Sequence, residues 1–269
     1  MTGIKRIQRA FANAKGSTAF MPYLPVGYPD LATSIDLIQA LAATGADLIE
    51  VGVPFSDPLA DGPTIQAAAQ QALANGVTSS ACLAAVRTLR GRGVQTPLLL
   101  MGYVNPILAY GVERYVADAA DAGADGFIVP DLPPDEAAEM AAACAEYGLA
   151  LIFLVAPTSP DKRLRLAAEH SKSFLYLVSV AGVTGERREL PPHLADFIAR
   201  VRAHTDLPLA VGFGISTPEQ AAAVAALCDG VVVGSALVRL AGETRPAAKV
   251  SALSSLLSAA VHDTTMINH

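Results

Sequence analysis

Positive charge is scarce in this chain. Its 269 residues hold 19 Lys and Arg against 25 Asp and Glu, a formal net charge of −6. That balance argues against a general binder of nucleic acid or of anionic membranes. Cysteine is rarer still. Cys82, Cys144 and Cys228 stand far apart in Ala-rich surroundings, which suits neither a disulfide framework nor a zinc site. Long apolar runs are missing as well. Hydrophobic residues make up 52% of the chain, yet Gly, Pro and Asp break every run short of the roughly 18 to 20 residues a spanning helix needs. The first nine residues carry Lys5, Arg6 and Arg9 with no apolar stretch behind them, unlike a secretory signal. The expectation is a cytoplasmic protein with no membrane or nucleic-acid partner.

What is present is a repeating pattern. Eight short apolar runs, at 18–24, 47–52, 97–103, 126–131, 150–156, 173–180, 208–213 and 230–235, alternate with Ala- and Leu-rich stretches of helical character. Near-continuous apolar strands separated by helices describe a parallel sheet covered on both faces. Eight such units predict an α/β fold, a single (β/α)8 TIM barrel over residues 1–269, with a doubly wound open sheet as the alternative. Thr217-Pro218-Glu219-Gln220, Gly62-Pro63-Thr64 and Ser159-Pro160-Asp161 start helices, and Pro133-Pro134-Asp135-Glu136 places acids in a first turn. Gly45, Gly123 and Gly148 suit left-handed helix ends. Residues 4–14 predict an extra N-terminal helix, and 247–261 one that closes the outer ring. Two connections stand apart: 53–60 after the second strand, and 181–192 after the sixth. The second holds Gly182 and Gly185 and is expected to be a mobile loop, a lid over a site at the C-terminal end of the barrel.

Two signals carry chemistry. The seventh strand runs into Gly212-Phe213-Gly214-Ile215-Ser216, and the eighth into Gly234-Ser235 at a helix start. Glycine admits the backbone to an anion and unpaired N–H groups point at it, which predicts a phosphate site without Lys or Arg. The second signal is Glu50, a charge inside the apolar run 47–52, followed by Asp61 directly before Gly62-Pro63. A buried carboxylate needs an ion-pair partner or a catalytic use. Glu50 is expected to have a raised pKa and to pass protons. Asp61, beside a helix N-terminus, is expected to stay ionised. Tyr23, Tyr103 and Tyr176 lie near strand ends, where each serves either packing or the site.

The absences narrow the reaction. None of the five lysines falls at the C-terminal end of a candidate strand and the five histidines form no close-spaced cluster, which disfavours Schiff-base and metal-dependent aldolases. No Gly-x-Ser-x-Gly elbow occurs, and Gly212-x-Gly214 lacks the rest of a dinucleotide fingerprint. What remains is acid–base chemistry on a phosphorylated small molecule, with no cofactor.

The run Leu48-Ile-Glu-Val-Gly-Val-Pro-Phe-Ser-Asp-Pro-Leu-Ala-Asp-Gly-Pro-Thr-Ile-Gln66 closely resembles the signature of the tryptophan synthase alpha subunit. Pro22-Tyr23-Leu24, Met101-Gly102-Tyr103-Val104-Asn105-Pro106, Pro130-Asp131-Leu132-Pro133, Ser179-x-x-Gly182-Val183-Thr184-Gly185 and Gly212-Phe213-Gly214-Ile215-Ser216 extend the resemblance over essentially the whole chain. It implies a lyase that cleaves indole-3-glycerol phosphate to indole and glyceraldehyde 3-phosphate. The family's two catalytic carboxylates match Glu50 and Asp61. Its substrate-side tyrosine matches Tyr176, its lid threonine Thr184, and its phosphate-binding backbone Gly185, Gly214, Gly234 and Ser235. Tyr23 matches an aromatic residue over the indole ring, often Phe in relatives, and adds a hydroxyl. The resemblance further implies an αββα complex with a beta subunit that carries pyridoxal phosphate, faced by the loops 53–60 and 103–107. A non-catalytic subunit that only activates the beta partner, another phosphate-binding barrel enzyme and a stand-alone lyase are the alternatives.

Overall fold

A computed structural model describes residues 1–14, 18–178, 193–212 and 214–263. The strands are β1 (Ala19–Pro25), β2 (Ile49–Gly52), β3 (Leu98–Met101), β4 (Gly126–Ile128), β5 (Ala150–Ile152), β6 (Leu154–Val155), β7 (Leu175–Val178), β8 (Leu209–Gly212) and β9 (Gly230–Val233). All described pairings are parallel, in the order β5-β4-β3-β2-β1-β9-β8-β7-β6. The two end strands are halves of one segment, divided at Phe153. Its first half pairs with β4 and its second with β7, and the Phe153 carbonyl accepts from the Tyr176 N–H at 3.1 Å. The ring therefore closes as the eight-stranded barrel that the eight apolar runs predict.

The helices are α1 (Gly3–Asn13), α2 (Leu31–Ala43), α3 (Pro63–Ala74), α4 (Ser79–Gly91), α5 (Val104–Tyr110), α6 (Val112–Ala122), α7 (Ala138–Tyr147), α8 (Asp161–His170), α9 (Leu194–Arg202), α10 (Pro218–Ala225), α11 (Ser235–Ala241) and α12 (Pro246–His262). Gly123 and Gly148 end α6 and α7 in the left-handed conformation, and Gly45 has φ +92° just past α2, where a side chain would strain the backbone. Thr217 and Gln220 form a capping box at α10. At 133–136 the expected helix start is a short 3-10 turn, Pro134–Glu136, and α7 begins after it. Among the described residues two gaps between strands hold two helices rather than one, α3 with α4 and α5 with α6, and α11 and α12 follow the last strand.

Strand side chains are buried almost throughout, as a sheet covered on both faces requires. The N-terminal end of the barrel is tied by charge. Asp125, fully buried, pairs with Arg6 of α1 and with Arg90 of α4 at 2.6 Å, and accepts the Leu98 N–H at 2.8 Å. The last helix, α12, is fastened by His262, whose Nε2 lies 2.7 Å from Asp47 Oδ2, and by a 2.7 Å hydroxyl pair between Thr44 and Ser254. With both anchors at the N-terminal end, the C-terminal end is free to carry loops.

Candidate active site

The pocket at the C-terminal end of the barrel is lined by Tyr23, Glu50, Asp61, Ile65, Met101, Tyr176, Gly214, Val232, Gly234 and Ser235. The space between its walls, open mouth included, is about 380 Å³. Seven of the nine residues picked out from the sequence line it together. The other two, Thr184 and Gly185, lie outside the described residues, as does the expected lid at 181–192.

Backbone register sets the pocket's floor. Tyr23 of β1 is the pairing neighbour of Glu50 of β2, and Glu50 that of Leu99 in β3. Tyr176 enters from β7, across the barrel. Both tyrosine rings need glycine beside them. A Cβ on Gly52 would come within 2.3 Å of the Tyr23 hydroxyl, and one on Gly212 within 2.3 Å of the Tyr176 hydroxyl. Those glycines keep slots open into which the two phenols reach.

Glu50 is 1% exposed and its Oε1 has no hydrogen-bond partner among the described residues. An unpartnered buried carboxyl is driven towards its neutral form. Burial, and then the nearby Asp61 charge, push the Glu50 pKa well up. Asp61 departs from expectation. It does sit at a helix start, two residues before Pro63, but it is 7% exposed, and burial raises its pKa to about 6. The Tyr103 hydroxyl beside it pulls the other way. Asp61 thus remains mostly ionised at neutral pH, by a narrower margin than the helix terminus alone implied. Burial also raises the phenols of Tyr23 and Tyr176 far above neutrality, with Glu50 and Asp61 adding to it. Both are neutral donors.

On the wall formed by β8 and β9, Gly214 follows β8 with φ +89°, and Gly234 precedes α11. The Gly234 carbonyl accepts from the Leu237 and Val238 N–H groups. The N–H groups of Ser235 and Ala236 have no acceptor within the helix, as at any helix start. Sequence reasoning leaves Ile65, Met101 and Val232 out of the site. Met101 ends β3 at the height of Gly52, a position that strand register gives once the barrel is drawn. Tyr103 reads as a strand-end tyrosine, but nothing in the sequence places its hydroxyl against Ala60 and Asp61.

The arrangement is a carboxyl group driven towards its neutral form and a carboxylate in one pocket, with the peptide N–H groups that follow β8 and β9 lining the same pocket. It can exchange protons with a bound molecule, hold a cation-like centre and take an anion at the far end. Comparisons with known proteins agree on the family. The family model for the tryptophan synthase alpha chain matches residues 10–265. The chain is 49% identical over 267 residues to the tryptophan synthase alpha chain of Chloroflexus aggregans, covering 98% of this chain and 100% of that one. It is 53% identical over 245 residues to that of Roseiflexus castenholzii, covering 90% and 94%. Among solved structures, tryptophan synthase of Mycobacterium tuberculosis superposes with a TM-score of 0.87 at 42% identity, covering 96% of this chain and 97% of that one. The alpha chain of Legionella pneumophila gives 0.89 at 36% identity, covering 99% and 100%. By sequence along nearly its whole length and by fold, the chain belongs to the tryptophan synthase alpha chain family.

Proposed function

We propose that Glu50 and Asp61 are the two catalytic groups of this chain, with Tyr23, Tyr176, Thr184, Gly185, Gly214, Gly234 and Ser235 holding the substrate. The reaction is the family's: a carbon–carbon lyase cleaves indole-3-glycerol phosphate to indole and glyceraldehyde 3-phosphate, as the alpha subunit that works with a beta subunit in tryptophan biosynthesis. The observation that carries the assignment is the buried Glu50, its Oε1 without a partner among the described residues, beside Asp61 in one pocket.

A retro-aldol cleavage needs somewhere for electrons to go. In this substrate the indole serves, once its C3 is protonated. Neutral Glu50 gives that proton. The ring nitrogen then carries positive charge, which Asp61 offsets by accepting its N–H. Glu50, now a carboxylate, takes the proton from the hydroxyl on the carbon attached to C3. The bond between that carbon and C3 breaks, its electrons neutralise the ring, and indole leaves with the aldehyde. Glu50 is protonated again, so the cycle balances. Fixed charge aimed at a developing charge is worth ~3 to 4 kcal/mol per contact. The phosphate is taken by main-chain N–H groups around Gly214, Gly234 and Ser235.

The partner meets the segments after β2 and β3, where Leu59 is 88% exposed and Leu108, in α5, 55% exposed. The chain works as one domain over 1–269. It is cytoplasmic, consistent with three buried free thiols and with no described helix long and apolar enough to cross a membrane. The test is direct. Glu50→Gln keeps shape and removes the proton, so indole release by the purified chain should fall by ~10²-fold or more while the circular dichroism spectrum and phosphate binding stay. Turnover within about tenfold of the parent would remove Glu50 from the mechanism.

A further inference from the structure

Tyr103 lies just beyond β3, at the start of α5, and is 5% exposed. Its ring centroid is 5.3 Å from that of Phe55 in the loop after β2. Its hydroxyl accepts from the Ala60 N–H at 3.0 Å. A phenol that accepts there still has its own proton to give, and the residue that follows Ala60 is Asp61. The main chain of Asp61 is already held. Its N–H donates to the Pro58 carbonyl at 3.0 Å, and its carbonyl accepts from Gln66 Nε2 at 2.8 Å. With the backbone fixed, the direction of the carboxylate is what remains to be set.

We propose that Tyr103 is the positioning residue of Asp61: anchored to the 53–60 loop through the Ala60 N–H, its hydroxyl donates a hydrogen bond to the Asp61 carboxylate and keeps that carboxylate ionised and aimed into the pocket. The proposal rests on the catalytic reading of Asp61 above. Electrostatics agree in direction. Burial raises Asp61 to about 6, and Tyr103 lowers it. The other titratable groups facing the pair are Glu50 from β2, Tyr23 from β1 and Tyr176 from β7, with Asp131 near Tyr103 and Cys82 near Tyr23. None of these carries positive charge. Among the described side chains, support for ionised Asp61 therefore comes from a neutral donor, in addition to the α3 N-terminus, and Tyr103 has its hydroxyl anchored at the neighbouring Ala60. The phenol itself does not titrate in this range, because burial raises its pKa and Asp61 raises it further.

The test is the pH profile of indole release by the full chain between about pH 5 and 8, for the parent, Tyr103→Phe, Asp61→Asn and a chain with 3-fluorotyrosine at position 103. Phenylalanine keeps the ring against Phe55 and loses the donor. Its acidic limb should move up by about one pH unit, with KM within about threefold. Fluorination makes the phenol a stronger donor of nearly the same shape, so the limb should move down. A change in packing alone predicts no such opposed pair, and the fluorinated chain keeps the test open where phenylalanine impairs folding. Limbs that coincide with the parent's in both substituted chains would overturn the role of Tyr103 while leaving Asp61 in place. A limb that persists in Asp61→Asn would overturn the reading of Asp61, and the proposal with it.

Discussion

At the scale of the residue, the proposed mechanism asks two carboxyl groups in one pocket to do opposite things. In it Glu50 has to hold a proton at rest and Asp61 has to be without one. Burial raises both, and the difference lies in what else each meets. Glu50 Oε1 meets no donor among the described residues, whereas Asp61 lies beside a phenol. With Asp61 near 6 and required ionised, kcat should fall as pH drops through that value. With Glu50 raised and required neutral, kcat should fall again on the alkaline side, as Glu50 loses its proton. A rate-against-pH curve of the purified chain checks this, and a flat response from about pH 5 to 7 would contradict it. Glu50 was legible in the sequence because a charge inside an apolar strand is costly unless it is paired or put to use. The ionisation of Asp61 was only half legible. The helix start is written locally in Gly62-Pro63, but burial is supplied by β1, β3 and β7, which lie far off in the chain. Tyr103 was illegible as a partner for the same reason, since 43 residues separate it from Ala60.

At the scale of the element, strand positions read well and strand continuity did not. The apolar run 150–156 gives no hint that its pairing changes at Phe153, because the change is imposed by closing a ring. Helices with strong local punctuation, such as α10 and α3, begin just after Thr217 and Gly62, as those residues predict. The pairs α5–α6 and α3–α4 depend on single glycine-bearing turns at Gly111 and Gly76, which a composition reading merges with their helices. The capping box at α10 is a local device with a local cost. Thr217 Oγ1 accepts the Gln220 N–H, and Gln220 Oε1 accepts the N–H groups of Ser216 and Thr217. Replacing Thr217 by Ala should cost ~1 kcal/mol and lower the melting temperature by about 2 to 4 °C. A scanning calorimetry trace that superposes on the parent's would show that the box contributes nothing. The same segment leads out of the Gly214 turn, so the substitution also tests how far helix ends hold the pocket wall.

At the scale of the whole molecule, the barrel is anchored at one end and used at the other. Asp125 gathers Arg6 from the first helix and Arg90 from the fourth beneath the strands. Burial raises the Asp125 pKa, opposed by the Leu98 N–H and then the arginines. Removing the carboxylate leaves two cations facing each other around a buried hole, and breaking such a set costs ~3 to 5 kcal/mol. Asp125→Ala should therefore shift the urea midpoint strongly downward, without altering the pH profile of the surviving activity. A midpoint within about 0.2 M of the parent's would show that the cluster is dispensable.

In the proposed reaction, a doubly ionised ester must approach a body whose formal net charge is −6 and be grasped by peptide dipoles at Gly214, Gly234 and Ser235. Dipoles act over a few ångströms, and repulsion from the rest of the surface acts much farther. The grip is therefore short-ranged. A host of like sign thus opposes the arrival of the phosphorylated substrate and the return of the phosphorylated aldehyde alike, more so as the salt concentration falls.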